Sequence, residues 1–305
     1  MIIMNNKNKS FTLIELLVVI VIIGILAGVV MISTSSSIDK ANIAKGIAFS
    51  DSLKNSMLLN LVSEWKFDEP PIGTVVKDDW GNNNAVLNHG NESTTYPLYK
   101  SKNANECVSG GCYYFNGINK EYINTNNNLI IPREGVFFFW INGLATNQIN
   151  QNIYPMGFYQ FCLLGSSNTT DNKSGIILKR IGEPYTVYNW GGQGFFDGKW
   201  HNYIVSWDET TFYLYKDGIK IGSPKTHDGL PPLDDKRKFI LGGSAWDAAN
   251  YGHFTGKIDE VRLYDKLLSL NQVKELYIAG LNSLLFRGNI SREEYNERIS
   301  SLSVK

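Results

Sequence analysis

The apolar residues of this chain follow three different rhythms. Over residues 11–32 they form a nearly unbroken run, interrupted only by Thr12 and Glu15. A helix of that length spans about 33 Å, enough for a bilayer core of about 30 Å. Further on the spacing becomes helical and one-sided. Ile43 and Ile47, then Phe49, Leu53, Met57 and Leu61, recur at i+4, while Asp39, Lys40, Lys45, Asp51 and Lys54 stay off that stripe. This predicts an amphipathic stem, and a single helix over residues 11–61 would measure about 77 Å. The alternative, a flexible stalk, draws support from Ser33 to Ser37 and Gly46. From about Val62 short alternating runs bounded by Gly, Asn and Asp predict strands, among them 64–68, 112–116, 136–142, 200–207 and 257–265. Runs 212–216 and 219–222 meet at Asp217-Gly218 and predict a hairpin with a type I′ turn. At the end of the chain Ser269 and Gln272 form a capping box before a helix over 270–279, with Gly280 placed to stop it. Residues 281–287 read as another helix, Gly288 as a stop, and Ser291 with Glu294 as a second capping box.

What surrounds the first run decides how it is read. The ten residues before it hold Lys7 and Lys9 and no acid, so that end stays cytoplasmic and the bulk of the chain lies outside. A secretory signal peptide has a shorter apolar core and a small-x-small cleavage site; this run is longer and ends in Met31-Ile32. Glu15 is the anomaly, because a carboxylate inside an apolar span is costly unless it finds a partner. The averages hide all this. With 29 basic against 29 acidic side chains among 305 residues, net charge is zero, which excludes a basic nucleic-acid binder.

Lys9-Ser10-Phe11-Thr12-Leu13-Ile14-Glu15-Leu16-Leu17 resembles the prepilin signal of type IV pilins and type II secretion pseudopilins. The resemblance implies that a prepilin peptidase cuts between Ser10 and Phe11 and N-methylates Phe11. It implies that the apolar helix leaves membrane lipid to become the filament core, packed on other pilin subunits, with Glu15 paired to the new amine of a neighbour. The family usually carries Gly where this chain has Ser10, which puts the efficiency of processing in question.

The β region resembles a second family. Trp65-Lys66-Phe67-Asp68-Glu69, Cys112-Tyr113-Tyr114-Phe115-Asn116-Gly117, Gly198-Lys199-Trp200-His201 with Leu214 to Gly218, and Gly256 to Tyr264 stand in the order found in laminin-G-like, concanavalin A-like jelly rolls. The resemblance implies two curved antiparallel sheets with the Trp65 strand beside the 258–264 strand. The expected organisation is a leader at 1–10, a transmembrane and filament-core helix at 11–32 and an amphipathic stem at 33–61. An all-β jelly-roll sandwich at 62–278 and a C-terminal helical hairpin at 279–305 complete it.

Glucanases of this fold need two carboxylates on one strand. Their Glu-x-Asp pattern is absent, and Asp259 and Glu260, being adjacent, would point to opposite faces of a strand. Neither a metal-type histidine pattern nor Gly-x-Ser-x-Gly is present. The expectation is therefore no enzyme and no required cofactor, but a binder of extracellular carbohydrate or protein. Trp80, Trp190, Trp246 and Tyr251 are the candidate ligand-stacking rings, with capping of the core as their bland alternative. Asp68 and Asp259, helped by the 78–84 loop, are candidate ligands for a structural calcium. In an oxidising exterior Cys107 and Cys112 would close a small disulfide loop, and Cys162 is left over. A minor or tip subunit of a surface filament fits best. The alternatives are a secretion pseudopilin or single-pass surface protein with a purely structural head, and a glycoside hydrolase.

Overall fold

The computed structural model of the chain describes residues 13–27, 57–90, 93–125, 129–143, 152–158, 161–166, 174–178, 186–190, 197–227, 239–243 and 253–303. The chain divides into two units, residues 1–48 and 49–305. In the first unit, residues 13–27 form a helix, α1. Its large apolar side chains are exposed all round, from Val19 at 45% to Leu13 at 82%. No helix among the described residues is long and apolar enough to cross a membrane.

The second unit is a β-sandwich. One sheet has nine strands, on a path β14 (Ile219–Lys220), β13 (Thr211–Lys216), β12 (Trp200–Trp207), β7 (Gly135–Gly143), β17 (Gly256–Tyr264), β5 (Cys112–Phe115) and β4 (Leu98–Lys100). Off that path β1 (Leu61–Trp65) pairs with β17, and β15 (Lys225–Thr226) with β13. The other sheet has eight strands. They run β11 (Thr186–Asn189), β10 (Ser174–Leu178), β9 (Phe161–Ser166), β8 (Asn152–Phe158), β16 (Phe239–Leu241), β6 (Tyr122–Thr125), β3 (Ala85–Asn88) and β2 (Val75–Val76). The expected neighbours are indeed adjacent: β1 lies antiparallel to β17 with Trp65 opposite Val261.

The nine-stranded sheet is buried on both faces. Along β7, Phe137, Phe139 and Ile141 enter the core between the sheets. Val136, Phe138 and Trp140 alternate with them and face a second core formed with the C-terminal helices. A strand covered on both faces reads as a continuous apolar run, and Gly135 to Ile141 is such a run. The β13–β14 turn has both central residues at positive φ, Asp217 at 52° and Gly218 at 75°, as a type I′ turn requires.

Three expectations about element boundaries need correction. Met57 is helical, but a single 3-10 turn over Leu58–Asn60 follows and Leu61 already belongs to β1, where it pairs with Tyr264. Leu61 is apolar because it meets the sandwich, not because it continues a helical stripe; the rest of the stem lies outside the described residues. The strand placed at 64–68 runs instead from Leu61 to Trp65, and Phe67 leaves it at a φ of 60°. At the C-terminus, Gly280 does not stop a helix. α2 runs unbroken from Leu270 to Phe286, opened by the Ser269–Gln272 capping box, so the boundary set at 278/279 falls inside it. A Cβ at position 280 would come within 2.4 Å of the Trp140 ring, which is why glycine stands there. Gly288, at a φ of 75°, makes the turn into α3 (Arg292–Ser301).

Candidate functional site

Two regions carry the candidate residues. In the first unit, Ser10 and Phe11 lie outside the described residues. Glu15 sits on α1 among exposed Leu and Ile side chains. A helix apolar on every side is one that is buried in use, in lipid or among other helices.

In the second unit, Asp68 and Asp259 converge on the loop between Cys107 and Cys112, which are joined by a disulfide. Asp259 is fully buried. Its Oδ2 accepts the backbone N–H groups of Val108 and Ser109 at 2.8 and 3.0 Å, and its Oδ1 accepts that of Glu260 at 2.7 Å. The Ser109 hydroxyl donates to Glu260. Asp259 and Glu260 therefore act on the same side of the strand, contrary to the alternation expected of neighbours. The cause is a β-bulge. The register with β7 shifts between Asp259 and Arg262, and Glu260 takes a φ of 54°. The bulge also resets the strand's parity, so Ile258 and Val261, three residues apart, both reach the main core.

Beside this corner lies a buried ion network that the sequence reading missed. Arg262 donates from Nε to Glu64 at 2.6 Å and from Nη2 to Glu260, and its guanidinium lies 5.1 Å from the Phe138 ring centre. Lys66 reaches Glu64 at 3.3 Å from the outside. Complete burial, with the Glu260 charge next to it, pushes the Asp259 carboxyl well above its usual range; the N–H groups of Ser109 and Glu260 offset part of this. Burial and Glu260 likewise raise Asp68. One signal was available: Glu64 and Arg262 stand in strands expected to be neighbours, Glu64 next to Trp65 and Arg262 between Val261 and Leu263. Glu260 and Glu64 are almost wholly covered and tied to Arg262, so this carboxylate cluster is a structural corner. Among the described residues no group of three or more His, Cys, Asp and Glu side chains is arranged to hold a metal ion. In the 78–84 loop, Asp78 accepts four backbone N–H groups, from Glu64, Trp80, Gly81 and Asn83.

A second polar cluster holds His201 between two carboxylates. Its Nδ1 lies 2.6 Å from Asp217 and its Nε2 2.9 Å from Asp197. Burial disfavours the charged ring, but Asp217 and the two hydrogen bonds outweigh it and raise the His201 pKa. For Asp197 burial is outweighed in turn, and its bond to His201 holds the carboxyl below the usual range. A raised imidazole pKa stabilises the fold fully below the unfolded value of about 6.5 and is lost as pH rises through the folded value. The depressed Asp197 acts in the other window, stabilising above about 3.9 and losing this as pH falls. Melting temperature is therefore expected to decline from pH 6 towards pH 9, and His201→Gln to flatten that decline. An equal slope in the variant would remove His201 as its source.

The two candidate aromatic rings among the described residues, Trp80 and Trp190, do not gather. Trp80 is 48% exposed on the loop after β2, held by its backbone N–H to Asp78. Trp190 follows β11, packs against the main core and donates its indole N–H to the Ser223 carbonyl, with Lys225 5.8 Å from its ring. β2 and β11 are opposite edges of the eight-stranded sheet. Seven strand spacings separate them, about 33 Å along the sheet. Trp246 and Tyr251 lie outside the described residues.

Residues 119–274, just over half of the chain, match the family described as the concanavalin A-like lectin/glucanases superfamily. The chain belongs to this superfamily. Ahead of its lectin-like domain, residues 5–31 match the prokaryotic N-terminal methylation motif. A fimbrial protein of Moraxella nonliquefaciens is 42% identical over 55 residues, 18% of this chain and 36% of that protein. The likeness thus spans about a third of the relative's length. Domain 4 of AbnA, a GH43 extracellular arabinanase from Geobacillus stearothermophilus solved with arabinotriose, has the same fold. The TM-score is 0.56 at 18% identity, covering 72% of this chain and 98% of that domain. The binding domain of Paraclostridial Mosquitocidal Protein 1 gives 0.54 at 15% identity, covering 74% of this chain and 53% of that one. The receptor binding domain of a botulinum neurotoxin mosaic serotype C/D gives 0.52 at 13% identity, covering 74% and 52%.

Proposed function

We propose that the chain is a minor or tip subunit of a pilin-type surface filament, and that its lectin-like head binds carbohydrate or protein outside the cell. One observation carries the reading: a methylation motif and an all-round apolar helix precede a concanavalin A-like sandwich on one chain. In this reading the apolar segment first lies in the cytoplasmic membrane with its head outside. Prepilin peptidase cuts between Ser10 and Phe11, and α1 then exchanges lipid for the helices of other pilin subunits. Cleavage creates a cation at Phe11 that can neutralise the buried Glu15 carboxylate of a neighbour. The ligand class is suggested by the domain family, and Trp80 is the most exposed of the described candidate rings.

Intact-mass measurement on chain purified from its membrane or filament tests the processing step. The expected product begins at a methylated Phe11; a chain that keeps residues 1–10 would overturn the proposal. Glu15→Ala is expected to be cut normally yet to lose incorporation into filaments by tenfold or more. Incorporation at the wild-type level would remove Glu15 from assembly. For the head, full-length protein in detergent on a glycan array is expected to show retention that Trp80→Ala reduces.

A further inference from the structure

The loop between Cys107 and Cys112 is where separate parts of the head meet. β17 reaches it through Asp259 and Glu260. From the C-terminal hairpin, the Ser283 hydroxyl on α2 donates to the Val108 carbonyl, and Asn289 Nδ2, between α2 and α3, to the Cys107 carbonyl at 2.9 Å. Arg287 Nη1 donates to the Lys102 carbonyl at 3.2 Å, and the Trp200 indole to the Glu106 carbonyl at 3.1 Å. On the remaining side a Cβ at Gly111 would come 2.5 Å from the Phe67 carbonyl, so the loop lies directly on the chain leaving β1. The disulfide inside is shut in. Cys107 is 1% exposed and Cys112 not at all, and both share one apolar cluster with Leu281, Leu284 and Ile290.

We propose that the α2–α3 hairpin is a cover that locks the Cys107–Cys112 disulfide: the bond forms before the hairpin docks, and afterwards no reductant reaches it. The chemistry sets this order. Two thiols become a disulfide by passing two electrons and two protons to an incoming disulfide, which leaves as a dithiol. The exchange runs through a mixed disulfide, so a bulky partner must approach one sulfur in line. In the closed head the end of α2 with Ser283, and the turn after it with Asn289, lie on the loop and cover the two sulfurs. Reduction needs the same approach in reverse. The hairpin makes oxidation of this loop effectively one-way without altering the bond itself. The inference concerns the head alone and stands whether or not Phe11 is processed.

The full chain in detergent, incubated with excess dithiothreitol and quenched with an alkylating reagent, tests this by intact mass. Reduction of the loop appears as a gain of two alkyl groups. The native chain is expected to resist reduction at least a hundredfold longer than the same chain in urea. Comparable rates in the two would overturn the proposal. Removing the hairpin's two hydrogen bonds to the loop, with Ser283→Ala and Asn289→Ala together, is expected to speed native reduction roughly tenfold or more. Lys220→Ala, on edge strand β14, is expected to leave the rate unchanged. A double variant that melts like wild type yet is reduced at the wild-type rate would equally defeat the idea.

Discussion

Replacing Arg262 with Ala is expected to lower the stability of the head by about 3–5 kcal/mol, a large share of the roughly 5–15 kcal/mol that holds a domain folded. The cost comes less from the lost ion pairs than from what remains. Glu64 and Glu260, both almost wholly buried, would face each other's charge with their common partner gone. The guanidinium's packing over Phe138 would go as well. Denaturant unfolding of wild type and variant measures this. A triple variant, Glu64→Gln, Glu260→Gln and Arg262→Met, separates the causes: with the stranded charges neutralised, much of the loss should return. A loss below about 1 kcal/mol for Arg262→Ala would mean that water reaches these carboxylates.

Gly280→Ala should reverse the usual sign of a helix substitution. In an exposed helix interior, exchanging Gly for Ala gains about 1 kcal/mol. Here the new methyl group would meet three atoms of the Trp140 indole at 2.4–2.7 Å. Trp140 has no room to retreat, being fully buried and stacked on Tyr277 at 5.7 Å between ring centres. The expected outcome is a loss of about 1–3 kcal/mol, together with a change in near-ultraviolet circular dichroism from the displaced aromatic pair. A variant more stable than wild type would show that α2 can slide off the sheet at little cost.

These two positions also mark how far the sequence could be read. The pairing of the Trp65 strand with the 258–264 strand, the Asp217-Gly218 turn and the Ser269 capping box were all legible. Each depends on local residue chemistry or on motif order. Gly280 was misread because glycine after an apolar helical run means the same, locally, whether it ends a helix or clears room for a ring. The Asp259–Glu260 pair was misread for a related reason: period-two alternation assumes an unbroken strand, and a bulge is invisible until its partner strand is known. The fragment 62–278, natural from the sequence, would cut α2 and remove Leu281, Leu284 and Ile290 from the core that Trp140 shares, so binding tests need residues 49–305 or the whole chain. The candidate site was legible only as residue types. That Trp80 and Trp190 stand on opposite sheet edges follows from strand order, which no single sequence window contains.

The entry of the chain into the head has a mechanical consequence. A pull on the chain ahead of the head passes Met57, itself buried in the second core, and enters β1, which lies antiparallel to β17 from Leu61 opposite Tyr264 to Trp65 opposite Val261. If the head is held on the side beyond Trp65 and Val261, tension runs along the strand axis, and the ladder bonds are strained together in shear instead of being unzipped one at a time. The Glu64–Arg262 contact spans the same two strands and acts as a rivet between them. Such a joint tolerates a sustained tug far better than a peeled one, which suits the filament-borne binder proposed above.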